Sequence, residues 1–234
     1  MRRALLIAMT LVLLPACTDD GPPDVTAPER EPIVYVAVGA SETVGHGLAE
    51  PEEQAWPRLF LRTLPDDTRF TSVGVSGAKV ATALQQQAGP AVDAQPTLVT
   101  VWLNVNDIAG FVAVETYEQQ LRDLVRRLRR NGEATVLVAN TPALDKLPAL
   151  ARFRLPASLV NTTVDRYNVV IKRVVDAERA VLVDLHSASL RARAEGKEAS
   201  YVGPDGFHPS AAGHEAAAAE FAAAYRATAA VASR

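Results

Sequence analysis

Five short apolar runs punctuate the chain: Ile33–Val38, Phe70–Val75, Leu98–Leu103, Thr135–Ala139 and Val181–Leu185. Each is nearly continuous in Val, Ile, Leu or Ala rather than alternating, the pattern of strands buried on both faces of a parallel sheet. Between them the period lengthens to that of a helix. Over Thr116–Arg130, Leu121, Leu124, Val125 and Leu128 fall on one face, with four arginines near its end and Gly132 just beyond. A second helix over Ala157–Glu178 aligns Val160, Val164, Tyr167, Val170, Ile171 and Val174. A third, Ala211–Ala232, opens a 24-residue stretch with 13 alanines, read as helix propensity and close packing on a sheet. No repeat and no second core stands out. The expectation is one three-layer α/β/α sandwich over residues 33–234, with about five parallel strands.

The first 32 residues follow another logic. Arg2 and Arg3 precede the apolar run Ala4–Ala16, too short to span a bilayer but the length of a signal-peptide core. Leu14-Pro15-Ala16-Cys17 resembles a bacterial lipobox, with Pro15 unusual there. The resemblance implies cleavage after residue 16 and acylation of Cys17, and so an anchor at the cell envelope. An ordinary secretory signal is the alternative. Residues 17–32 carry Pro22, Pro23, Pro28 and Pro32 and no apolar period. They read as a tether, of which residues 18–32 reach about 45 Å at ~3.1 Å per residue if extended in polyproline fashion.

Composition narrows the function. The 234 residues are 48% hydrophobic and 22% charged, with formal net charge −3, ordinary for a globular domain and without the basic excess that holds nucleic acid. Cys17 is the single cysteine, so disulfides within the chain, cysteine-based zinc sites and dithiol redox chemistry are excluded. No P-loop or complete GxGxxG occurs, which leaves nucleotide binding without support.

Ligands of open parallel sheets bind beyond the carboxyl ends of the strands, so the residues that follow each run matter most. The first ends in Gly39-Ala40-Ser41-Glu42-Thr43, the second in Gly74-Val75-Ser76-Gly77, and the third in Asn104-Val105-Asn106-Asp107. Asp205-Gly206-Phe207-His208-Pro209 directly precedes the last helix. Together, from about Ile33 to the C-terminus, these resemble the SGNH (GDSL-type) hydrolases. The resemblance implies a flavodoxin-like fold, Ser41 as nucleophile, and Asp205 and His208 as the other triad members. It also implies an oxyanion hole from Ser41, Gly77 and Asn106, with no metal and no cofactor. Two positions depart from the family pattern: Ala40 stands where Asp is usual, and Asn104 where Gly is usual. Neither removes a reacting group.

The chemistry is consistent by itself. A serine hydroxyl needs an adjacent base, which His208 can supply. A carboxylate three residues earlier can fold back to hold the imidazole tautomer. The α/β-hydrolase elbow Gly-x-Ser-x-Gly is not met, because Thr43 occupies its last position. His214-Glu215 opens like a zincin helix, but Ala218 stands where the second histidine belongs; the pair reads as a solvated turn. His46, between Gly45 and Gly47, either lines the site or sits in an exposed loop, and His186 reads as structural.

The expected activity is hydrolysis of carboxylic esters of lipids or carbohydrates through an acyl-serine intermediate. Acyl transfer by the same intermediate and a binding lipoprotein with weakened catalysis are the alternatives. The long segment from Thr141 to Pro156 carries Leu144, Leu147, Leu150, Phe153 and Leu155. It reads either as a wall for an acyl chain, helped by Phe111 and Val112, or as a short helix packed on the flank.

Overall fold

The structure is a computed structural model that describes residues 31–151 and 153–232. The readings of residues 1–30 as signal, lipidation site and tether lie outside the described residues. From Pro32 onward the chain forms one compact unit. Its elements are β1 (Val34–Gly39), α1 (Ser41–Val44), α2 (Pro51–Gln54), α3 (Trp56–Leu61), β2 (Arg69–Ser72), α4 (Val80–Gln86), α5 (Ala88–Asp93) and β3 (Leu98–Trp102). There follow α6 (Val105–Ala109), α7 (Val114–Arg129), β4 (Thr135–Ala139), α8 (Pro148–Ala151), α9 (Ala157–Ala177), β5 (Val181–Val183), α10 (Leu185–Ala194) and α11 (Ala211–Ala232).

All five strands are parallel, in the order β2-β1-β3-β4-β5. Strand side chains alternate between two cores. Val36, Val38, Val99 and Val101 pack with Leu121, Leu124 and Leu128 of α7 and Ile171 and Val174 of α9. Tyr35, Ala37, Leu98 and Leu137 pack on the other face with Trp56, Phe60 and Phe221. There the Trp56 and Phe221 rings stack at 4.1 Å. The alanines of α11 allow the close approach expected of them, with Ala217, Ala218 and Ala222 buried.

Three expectations need correction. β2 is not buried on both faces: Arg69, Thr71 and Ser72 are exposed, because β2 is an edge strand paired only with β1. β5, at the other edge, is half-buried at two of its three residues. The helix over Thr116–Arg130 ends at Arg129, and Arg130 itself takes the left-handed conformation (φ 48°), followed by Asn131 (φ 60°) before Gly132 is reached. No helix among the described residues is long and apolar enough to cross a membrane.

The strand order changes direction between β1 and β3, where a crevice opens beyond the strand ends. Gly39 of β1 pairs with Trp102 of β3, and the Val75 N–H donates to the Gly39 carbonyl at 3.1 Å. The segments that carry Ser41, Gly77 and Asn106 therefore leave the sheet side by side.

Candidate active site

Ser41 opens α1 directly after β1 and is 7% exposed. The turn into it tolerates no side chain at Gly39, whose Cβ would fall 1.9 Å from Thr43 Oγ1. Buried Gln87, at the α4–α5 junction, clamps that glycine. Its Oε1 accepts from Gly39 N–H and its Nε2 donates to the Gly39 carbonyl, both at 3.0 Å. Within the run Gln85-Gln86-Gln87 nothing in the sequence marked this one residue as the brace of the strand end.

His208 reaches Ser41 from the loop before α11. Its Nε2 lies 2.9 Å from Ser41 Oγ, and its Nδ1 lies 2.5 Å from Asp205 Oδ2. The arrangement fixes the tautomer: Nδ1–H donates to the carboxylate, and Nε2 accepts from the serine hydroxyl. Asp205 is held in turn, because its Oδ1 accepts from the N–H groups of Phe207 (2.9 Å) and His208 (3.0 Å). Burial pushes the Asp205 carboxyl up, but the His208 hydrogen bond and these two N–H groups outweigh it and hold the group down at about 2. It is a carboxylate at neutral pH. The loop is stapled by Gly203 N–H to the His208 carbonyl (2.7 Å) and by Ala149 N–H to the Gly206 carbonyl (3.0 Å).

The other expected residues converge on the same edge. Gly77 has φ +77°, and a Cβ there would meet nothing within 4 Å, so the backbone conformation and not lack of room calls for glycine. Asn106, in the first turn of α6, donates from Nδ2 to the Ala78 carbonyl at 3.1 Å, next to Gly77. Buried Asp107 ties the same two segments together by accepting from Val80 N–H at 3.1 Å. Burial pushes its carboxyl up to about 6, against the Val80 hydrogen bond and the Lys79 charge. The two departures from the family pattern are both buried. At Ala40 the Glu42 carboxylate folds back to accept from the Ala40 N–H at 3.1 Å. Asn104 donates from Nδ2 to the Ala139 carbonyl at 3.3 Å.

Glu42 itself was not foreseen. It is half-buried beside Ser41, and burial pushes its carboxyl up to about 7 against the N–H bonds of Glu42 and Ala40. It borders a cavity of about 680 Å³ between α10, α11 and the segment after β4. Trp102, Leu144, Leu147, Leu185, Ala188 and Phe207 contribute to its walls, and His208 lies at its edge. Of the segment expected to form a wall, Leu144 and Leu147 line this cavity. Leu150, Leu155 and Val112 do not line it, nor do Phe153 and Phe111, which are 57% and 92% exposed. The short helix of the alternative reading also exists, as α8.

The remaining histidines part ways. His46 is exposed, yet its ring lies 4.4 Å from that of His208. His186 has Nδ1 3.2 Å from the Thr141 carbonyl, joining α10 to the end of β4. His214 overturns its reading as part of a solvated turn. It is fully buried, because the first turn of α11 packs against α3, and its Nδ1 accepts from Trp56 N–H at 3.2 Å. Burial, with a smaller part from the His208 charge, pushes it down to about 4.

The model of the GDSL-like Lipase/Acylhydrolase family matches residues 37–216. No curated protein matches the chain. Among solved structures, one described as a GDSL-like lipase from Parabacteroides merdae superposes with TM-score 0.70 at 20% identity, covering 83% of this chain and 96% of that one. A lipase/acylhydrolase from Enterococcus faecalis gives TM-score 0.66 at 19% identity, with 82% and 94% covered. A catalytic mutant of Axe2, an acetylxylan esterase from Geobacillus stearothermophilus, gives 0.62 at 20% identity, with 81% and 92% covered. At these identities the likeness is one of fold.

Proposed function

The chain belongs to the GDSL-like lipase/acylhydrolase family of ester-bond hydrolases, and we propose that it hydrolyses carboxylic esters through an acyl-Ser41 intermediate. The observation that carries this reading is the unbroken chain from Ser41 Oγ through His208 to Asp205, at 2.9 and 2.5 Å. His208 Nε2 takes the hydroxyl proton as Ser41 Oγ attacks the ester carbonyl carbon. The developing oxyanion is met by the N–H groups of Ser41 and Gly77 and by the Asn106 amide. As the tetrahedral species collapses, His208 returns the proton to the departing alcohol. Water then attacks the acyl carbon as it gives a proton to His208, and Ser41 Oγ leaves with that proton, which releases the acid and restores the hydroxyl. Asp205 stays ionised throughout and stabilises the imidazolium.

The substrate we propose carries an acyl chain of several carbons, lodged in the apolar cavity beside His208. In the same proposal the enzyme is held at the cell envelope through a lipid on Cys17. An intact nucleophile–base–carboxylate chain weighs against a binding module that has lost turnover. Hydrolysis of p-nitrophenyl butyrate by wild type and by Ser41→Ala tests the assignment. Wild type is expected to turn over, and the variant to lose at least about 10³-fold in kcat while it keeps its fold. A variant as active as wild type would refute it.

A further inference from the structure

His46 has no part in the reaction just described, yet it stands over the residue taken as the base. Its backbone is fixed: His46 N–H donates to the Ser41 carbonyl at 2.9 Å, and the flanking glycines have φ +82° (Gly45) and +85° (Gly47). A Cβ on Gly45 would crowd Ala55 and Pro51 at about 3 Å. The loop is thus anchored while the ring itself is exposed, 4.4 Å from the His208 ring and inclined to it by 49°. One ligand atom each from His46, Asp205 and His208 lie within 4.8 Å of one another.

We propose that His46, Asp205 and His208 form an inhibitory site for a divalent transition ion, with Zn²⁺ as the best-suited occupant. Two imidazoles and one carboxylate are a preferred zinc donor set, with the fourth tetrahedral position left to water. Zinc bonds of about 2.0–2.1 Å bring neighbouring ligand atoms to roughly 3.3 Å. His208 Nδ1 and Asp205 Oδ2 are 2.5 Å apart, so an ion between them parts these atoms by about 0.8 Å, to roughly 3.3 Å, and replaces their hydrogen bond, while the exposed His46 ring closes from within the 4.8 Å envelope.

The ion is an inhibitor here and not a cofactor. Coordination at His208 Nε2 occupies the lone pair that accepts from Ser41. Coordination at Nδ1 displaces the ring proton to Nε2, which then donates and no longer accepts. Either way Ser41 loses its base. The inhibition rests on the catalytic reading above, whereas ion binding does not.

Calorimetric titration with zinc chloride and inhibition of p-nitrophenyl butyrate hydrolysis together test the proposal, on wild type, His46→Ala and Ser41→Ala. Wild type is expected to bind one zinc and to lose at least about 90% of its rate at saturation, with EDTA restoring it. His46→Ala, referred to its own zinc-free rate, should need at least ten times more zinc for half-inhibition. Ser41→Ala keeps all three ligands and should still bind one zinc. Equal inhibition of wild type and His46→Ala, or no His46-dependent binding in a wild type that hydrolyses ester, would overturn the site. His46-dependent zinc binding by a protein that hydrolyses no ester would support the site and reject the esterase reading alone.

Discussion

Filling the cavity beside His208 should change which esters the enzyme prefers. Ala188, half-buried on α10, contributes to its wall, and Ala188→Phe places a ring where the acyl chain is proposed to lie. Each methylene removed from water contributes about 0.8 kcal/mol. If the cavity of about 680 Å³ takes the chain, butyrate gains two such increments over acetate. That is about 1.6 kcal/mol, or roughly 15-fold in kcat/KM if fully expressed in the transition state. The assay is kcat/KM across p-nitrophenyl acetate, butyrate and octanoate. Wild type should rise from acetate to butyrate by close to that factor. Ala188→Phe should compress the step to about threefold or less while acetate hydrolysis changes little. Phe153→Ala should leave the series as it is, since Phe153 does not line the cavity. A wild-type series that falls from acetate onward, or an unchanged step in Ala188→Phe, would refute the placement of the acyl chain.

Three further outcomes are expected. Asn106→Ala should lower kcat about 10²-fold with KM little changed, as for loss of one oxyanion donor; a loss below tenfold, in a variant whose urea midpoint is intact, would remove Asn106 from that role. Burial pushes His214 down to about 4 from an ordinary 6.5, so the stability it contributes is present above 6.5 and is lost as pH falls toward 4, by about 2–3 kcal/mol at pH 4.5. Asp107 (about 6) and Glu42 (about 7) are raised and act oppositely, losing their contribution as pH rises, but they are common to wild type and His214→Gln. Urea unfolding at pH 7.5 and 4.5 should therefore show a smaller loss in His214→Gln, and equal losses would contradict the buried neutral histidine. Cys17→Ala should shift the expressed protein out of the membrane fraction or leave its signal uncleaved; a wild type found soluble and cleaved elsewhere would reject the lipid anchor.

What the sequence made legible follows from where its information is local. Short runs of β-formers marked all five strands, and the residues just past the first three brought Ser41, Gly77 and Asn106 to one edge, which Asp205 and His208 reach from the loop before α11. That inference needs only sheet topology, since parallel strands all end on the same side. Features set by tertiary neighbours were hidden. In β2 the pairing with β1 alone leaves Arg69, Thr71 and Ser72 exposed, and that edge position is set by the fold rather than by the run itself. Gln87 reads as a polar helix residue until the fold brings it to Gly39, 48 positions away. His214 read as solvated because Ala218 stands where a second histidine would make a metal helix; the packing of α11 against α3, which no local pattern announces, buries it. His46 and His208 are 162 positions apart in the chain, and no local pattern pairs them.

The central claim is that Ser41 is the nucleophile activated by His208, and covalent trapping tests it most directly. Wild type, His208→Ala and Ser41→Ala would each be treated with a fluorophosphonate, digested, and mapped by peptide mass. The account predicts one adduct in wild type, on Ser41, formed far more slowly in His208→Ala and absent from Ser41→Ala. An adduct on Ser76 or another residue, or labelling of Ser41 at the same rate without His208, would contradict it.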